Sequence, residues 1–446
     1  MRLPVCASLL VAVCFCSPAL GQTKKPARPA ANVSPAGRKC LECHGPMTPG
    51  IVKQWKESAH AKAGVDCYSC HKADPKDPAT FDHYGQKIAV IVTPNYCGGC
   101  HAKEEDQFEK SHHALAAKFI GSLDNTLGEI VEGGPAAVNG CRQCHGSEVK
   151  YLGDGKFDPD TWPNSGIGRV NPDGSRGSCA ACHGRHGFSS AVARDPENCG
   201  KCHLGPDHPQ IEIYNESKHG IQYHANKDKM HLDSKSWVVG KDYSAAPTCA
   251  TCHMSATSNQ PATHDVGDRI SYTLRPAITI HLDNWEKKRA AMQDVCSNCH
   301  ASGWVENFYK QYEGTITLYN EKFAKPAKSI MDKLYAAGKL TPTPFDEKIE
   351  WTYYELWHHA GRRARMGTSM MGPDYTQWHG FFEVAQIFYT EFIPEAERLM
   401  PGVTTDVMNS DYHKWTKASP RSSCSSKSTS TRSVTSSSSA CACFPA

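Results

Sequence analysis

Beyond its first two dozen residues the sequence contains no apolar run approaching the roughly 18 to 20 residues that a membrane-spanning helix requires. An integral membrane segment is therefore not expected in the rest of the chain. Basic blocks are missing too, and the 446 residues carry a formal net charge of only +3, which removes nucleic acid from the expected partners. Hydrophobic residues amount to 39%, so something other than aliphatic packing has to fill much of the interior. The start of the chain is the exception. Residues 1–21 combine a single Arg, an apolar run from Val5 to Phe15 and small residues near Ala19-Leu20-Gly21. This pattern predicts a secretory signal and export to the periplasm or an equivalent extracytoplasmic compartment, with no membrane segment left after cleavage. Residues 22–37 read as a linker.

What the chain has in excess is cysteine, at 22 positions. Sixteen of these lie between Cys40 and Cys299, and every one belongs to a C-x-x-C-H motif. In chain order the motifs are Cys40, Cys43 and His44; Cys67, Cys70 and His71; Cys97, Cys100 and His101; Cys141, Cys144 and His145; Cys179, Cys182 and His183; Cys199, Cys202 and His203; Cys249, Cys252 and His253; and Cys296, Cys299 and His300. The other six cysteines fall in the leader (Cys6, Cys14, Cys16) and the tail (Cys424, Cys441, Cys443). An exported cysteine-rich chain could be a disulfide scaffold, and C-x-x-C alone could bind zinc or act in redox exchange. Neither explains eight adjoining histidines. In C-x-x-C-H the two thiols add across the haem vinyl groups and the histidine becomes the proximal iron ligand. The expectation is eight covalent haem c groups, whose propionates make the holoprotein more acidic than its sequence.

So dense a haem content changes the folding problem, because the macrocycles supply much of the apolar interior and the polypeptide wraps them. The expected class is mainly α with extensive irregular structure, in which residues 38–303 form a multihaem cytochrome c domain. The Gly-, Pro- and Asp-rich stretch 154–177 reads as a long surface loop. From 304 to 415 the spacing of Phe, Tyr, Leu, Ile and Trp is helical, broken at Pro342-Thr343-Pro344 and at Gly372-Pro373. This segment presents an aromatic packing face, within the subunit or between subunits. Residues 416–446 are a Ser-rich low-complexity tail that cannot build a core.

The histidine count bears on function. Of 23 histidines eight are proximal ligands, which leaves fifteen. An electron-transfer haem takes a second axial ligand, whereas a catalytic haem keeps one iron face open. Spacing alone does not choose among the fifteen.

Several stretches, in order, resemble the octahaem hydroxylamine oxidoreductase family, which includes the hydrazine dehydrogenases: CLECH followed by SAHAK, CHGRHGFS, CGKCHLGPDH, ESKHG, APTCATCHM with a following THD, and GPDYTQWHG. The resemblance runs from about Lys39 to Leu399. It implies seven haems with two axial histidines and an open, catalytic fourth haem on Cys141, Cys144 and His145. Carried over residue by residue, it gives His60, His83, His113, His186, His219 and His264 as distal ligands. A seventh comes from the C-terminal segment, where His379 competes with His358 and His359. His112 could exchange with His113.

The same resemblance makes His208 the proton-transferring base at the open haem and Asp207 its orienting partner. The alternative is a turn with His208 as one more distal ligand. Tyr375 matches a tyrosine that, in the family's oxidative members, crosses from a neighbouring subunit and links covalently to the catalytic haem. That implies a homotrimer held through the C-terminal helices, with an ordinary packed aromatic as the other reading of Tyr375. Two departures are visible. Arg275 stands near the place where oxidative members carry a further tyrosine, with Tyr272 close by, and 33 residues separate His145 from Cys179, an insertion that could lid the pocket or contact a partner. The leading expectation is oxidation of hydroxylamine or hydrazine at the fourth haem, with electrons leaving through the other seven to a small cytochrome. The alternatives are the same site reducing nitrite or hydroxylamine, and a non-catalytic electron conduit.

Overall fold

The computed structural model describes residues 33–119 and 126–417. The expected signal, most of the linker and nearly all of the Ser-rich tail lie outside the described residues.

Within these bounds the chain is mainly α. Strand is confined to three two-stranded antiparallel hairpins, Thr80–His83 with Gln86–Ala89, Tyr151–Gly153 with Lys156–Phe157, and Tyr272–Thr273 with Ile280–His281. The helices before residue 280 are short, and many are the attachment motifs themselves. Cys67–His71, Cys141–His145 and Cys249–His253 are each little more than one helical turn. The reason lies in the motif: one turn brings positions i, i+3 and i+4 onto one face, so both thiols and the imidazole point the same way. Isolated turns are marginal in water and need outside support. Asp66 and Thr248 provide it as N-caps, each in a reciprocal capping box with Ser69 and Thr251.

The stretch 154–177, expected as a surface loop, is folded down onto the fourth motif instead. Ile167 N–H donates to Cys144 O at 2.9 Å and Gly168 N–H to His145 O at 3.1 Å. The approach works because the residue after His145 is Gly146, at φ +85°, where a Cβ would lie 2.5 Å from Arg169 N. Arg169, Asn164 and Asn171 are buried in this clamp and hydrogen-bond one another.

After Trp285 the helices lengthen. Ser302–Tyr319 runs on through a wide π-type turn, Asn320–Ala324, into Lys325–Ala336. A second run covers Lys348–Ser369 and a third Pro373–Leu399, so both Pro/Gly breaks fall between helices. Their shared core of Tyr319, Phe323, Ile330, Leu334, Leu356 and Phe388 is almost wholly shielded from water. Among the described residues no helix is long and apolar enough to cross a membrane.

Candidate active site

An iron held between two imidazoles, at metal–nitrogen distances of about 2 Å, sets the ring centres roughly 6.3 Å apart. Besides His203 and His208 at 6.2 Å, six histidine pairs stand at that separation: His44 and His83 at 6.2 Å, His60 and His101 at 6.2 Å, His71 and His186 at 6.5 Å, His113 and His203 at 6.0 Å, His183 and His264 at 6.4 Å, and His219 and His300 at 6.1 Å. Each joins one motif histidine to one of the six distal candidates, leaving a slot the width of a liganded metal. Burial takes His113 and His203 down to about 4, so both are neutral, the form that binds iron. The outer nitrogens are also held: Nδ1 of His71 meets Ala89 O at 2.8 Å and Nδ1 of His253 meets Val266 O at 3.0 Å, which fixes each ring with Nε2 toward the metal side. The donor set and its spacing thus fit haem c.

His379 is placed differently. The wide turn Gln377–Phe382 leaves its side chain half exposed, with Nδ1 3.0 Å from Glu383 and Nε2 3.4 Å from Asp374. These carboxylates hold it at the surface, and its described ring neighbour is Tyr375 at 5.4 Å rather than a motif histidine. His359 pairs with Glu355. His358 is buried, stacked on Tyr354, with Nε2 3.0 Å from the Tyr354 hydroxyl. None of the three faces His253 in the manner of the six pairs.

The fourth motif has a different neighbourhood. Cys144 lies beside the sixth motif, its Sγ 4.0 Å from Lys201 O, and Cys202 and His208 lower its thiol. His208 packs on the sixth motif, its ring centre 6.2 Å from that of His203, and its charge reaches Cys144 of the fourth. Its Nδ1–H donates to Asp207 Oδ1 at 2.5 Å and its Nε2–H to Cys202 O at 2.9 Å. With both ring nitrogens on acceptors, His208 is arranged as an imidazolium, which speaks against its use as an axial ligand. Burial opposes that charge, but the hydrogen bond and charge of Asp207 outweigh it, so its pKa lies above the ordinary value. For Asp207 burial is likewise overcome by His208, with help from His358 and Arg362, and its carboxyl is held at about 2.

Arg362 completes the arrangement and is invisible in sequence reasoning. Its Nη1 lies 3.1 Å from Asp207 Oδ2 and its Nε–H donates to Arg275 O at 2.9 Å. The helix Gly361–Ser369 thus ties the Asp-His pair to the Arg275 backbone. One helical turn on, the buried Arg365 donates to Pro276 O and Thr279 Oγ1 and holds the same loop. Tyr272 is engaged elsewhere: its hydroxyl bonds to Glu313 and its ring stacks on His281. Tyr375 rests on the helix Gln210–Glu216, its N–H 3.4 Å from Glu216 Oε1.

Contacts between motif cysteines define a path. Cys67 lies in the field of Cys40, Cys70 in that of Cys97, and Cys182 in that of Cys199. Cys97 lies near Cys179, Cys144 near Cys202, Cys199 near Cys249 and Cys252 near Cys296. The motifs therefore run one, two, three, five, six, seven, eight, with the fourth attached at the sixth.

A family model described as a multihaem cytochrome with seven C-x-x-C-H motifs matches residues 171–345. A probable nitrite reductase-hydroxylamine oxidoreductase fusion protein of Kuenenia stuttgartiensis is 26% identical over 69% of this chain, which spans 39% of that relative's length. Among solved structures, a hypothetical multiheme protein superposes with a TM-score of 0.73 at 27% identity, covering 83% of this chain and 96% of its own. The reducing HAO-like protein complex of the same Kuenenia superposes at 0.62 and 22% identity, over 84% of this chain and 87% of its own, a likeness of fold. The chain is a multihaem c-type cytochrome, with haem c bound covalently through its C-x-x-C-H motifs. In fold it is similar to multihaem proteins that include a reducing HAO-like complex.

Proposed function

We propose that this chain is an oxidoreductase of small nitrogen compounds, with its reaction centre at the fourth motif, and that it works there reductively on nitrite. The observation that carries this reading is the state of His208. A histidine whose two N–H groups already rest on a carboxylate and a carbonyl arrives at the reaction protonated, which suits a donor. Reduction of nitrite to ammonium takes up six electrons and eight protons, and reduction to hydroxylamine four electrons and five protons. The His208 imidazolium is the proton source, and Asp207 fixes the ring and holds its charge. Arg362 adds positive charge for an anionic substrate. Haem c, when bound, supplies the electrons and an iron coordination position. In this reading eight haems are present, seven with two axial histidines and the fourth with an open iron face. The names of the Kuenenia relatives, a nitrite reductase-hydroxylamine oxidoreductase fusion and a reducing HAO-like complex, point the same way. The protein is exported and exchanges electrons with a redox-partner cytochrome.

Oxidation of hydroxylamine or hydrazine is the second reading, and Tyr375 favours it. Nearby Trp378 and Phe382 are 59% and 50% exposed, an apolar face on which a homotrimer would bring Tyr375 to a neighbour's fourth haem. Peptide mass spectrometry of the denatured holoprotein separates the two directions. If the peptide carrying Tyr375 and the haem peptide Cys141–His145 run separately, and nitrite is turned over with a chemical reductant, the reductive reading stands. A covalent Tyr375–haem adduct rejects it for the oxidative one. Eight six-coordinate haems, with no high-spin signal, would leave only a conduit.

A further inference from the structure

The eighth motif lies at one end of the path of motifs and reaches the surface. Trp304 lies flat on His300, ring centres 4.2 Å apart and planes 14° off parallel, and is itself 46% exposed. Cys299 is exposed. The apolar surface at the attachment site is therefore Trp304, with Phe308 stacked beside it at 6.0 Å.

Beside it opens a cleft of about 430 Å³, whose lining includes Gln222, Asn226, Lys229, His231, Lys241 and Asp242. The cleft adjoins the motif, because Gly240 approaches Asn298 so closely that a Cβ would sit 3.0 Å from Asn298 Oδ1. Asp242, ionised and held by Ser236 Oγ at 2.7 Å and Val238 N at 2.8 Å, offsets one of the two lysines and leaves the lining with a net positive charge. Lys229 donates only to the neutral Asn226 side chain. The cleft thus presents positive charge next to an apolar patch, the pattern that an acidic partner matches.

Path length selects this end. From the fourth motif the contacts pass through the sixth and seventh to the eighth in three steps. The opposite end, at the first motif, lies five steps away through the sixth, fifth, third and second. The first motif also has exposed apolar neighbours in Met47 and Tyr84, but it is the longer route.

We propose that the surface formed by Trp304 and the Lys229–Lys241 cleft is the docking site of an acidic one-electron carrier protein, which exchanges electrons at the eighth haem. The proposal rests on the electron-transfer reading above and adds the partner's charge and its place of contact.

The test uses the full holoprotein and photoreduced flavodoxin, a small acidic one-electron donor, with haem reduction followed by stopped-flow absorbance. The Lys229→Glu/Lys241→Glu variant is expected to slow the second-order rate roughly tenfold at low ionic strength and to converge on the parent as salt rises. Lys229→Arg/Lys241→Arg should keep the parent rate. An unchanged rate in the charge-reversed variant overturns the proposal. So does slowing by Lys53→Glu/Lys56→Glu near the first motif in its place, which assigns docking to the other end. Nitrite turnover with a small chemical reductant is read separately. Its absence rejects the catalytic reading and leaves the docking result standing.

Discussion

His208 takes its character from its two acceptors, and its neighbours pull on it in opposite senses. Asp207 raises its pKa and Arg362 lowers it. With His208 as the proton donor, activity falls as pH rises through its pKa. Asp207→Asn removes the raising partner and leaves burial, so the falling limb of a kcat/KM profile for nitrite should move to lower pH. Arg362→Gln should move the same limb to higher pH. Opposite shifts identify His208 as the titrating group, whereas two variants that merely loosen the site would lower the whole profile without displacing it. His208→Ala is expected to cost roughly 10²- to 10⁴-fold in nitrite turnover, with haem content and low-spin spectra unchanged. A drop in haem content would point to a structural role.

The elements carry the attachment chemistry, and one-turn helices depend on their surroundings. Gly146→Ala places a Cβ at φ +85° and against the Arg169 backbone. It should destabilise the fold by more than about 1 kcal/mol and deplete haem from the Cys141–His145 peptide before the others, as read by chemical denaturation and haem-peptide mapping. The eight motifs were legible in the sequence because their information is local: three residues within five positions that one helical turn aligns. Six distal histidines could be named from the resemblance, and each now stands across a metal-wide slot from a motif histidine. Other features could not be read. Arg362 reaches Asp207 across 155 positions, and nothing in GRRARM tells which arginine turns inward. The Gly- and Pro-rich stretch 154–177 carries turn residues that predict exposure, yet glycines also permit the close backbone approach seen here. His379 sits in a sequence that matches the family, but its wide helical turn and two carboxylates carry it outward.

At the scale of the molecule, eight motifs in one connected path predict eight haems that share electrons. The intact mass should exceed that of the polypeptide by eight haems, and a reductive titration should take up eight electrons per chain, one haem showing high-spin character. A smaller count in either measurement would remove the expected stoichiometry. The connected path also makes the protein a reservoir. With a haem on each of the eight motifs, as proposed, eight sites would be charged one encounter at a time before substrate arrives, more than the six electrons that the proposed reduction of nitrite to ammonium needs. A fully charged molecule can therefore finish a turnover in a single visit of substrate. Partly reduced nitrogen species, which are reactive and diffuse quickly, need never wait at the iron for the next carrier to collide.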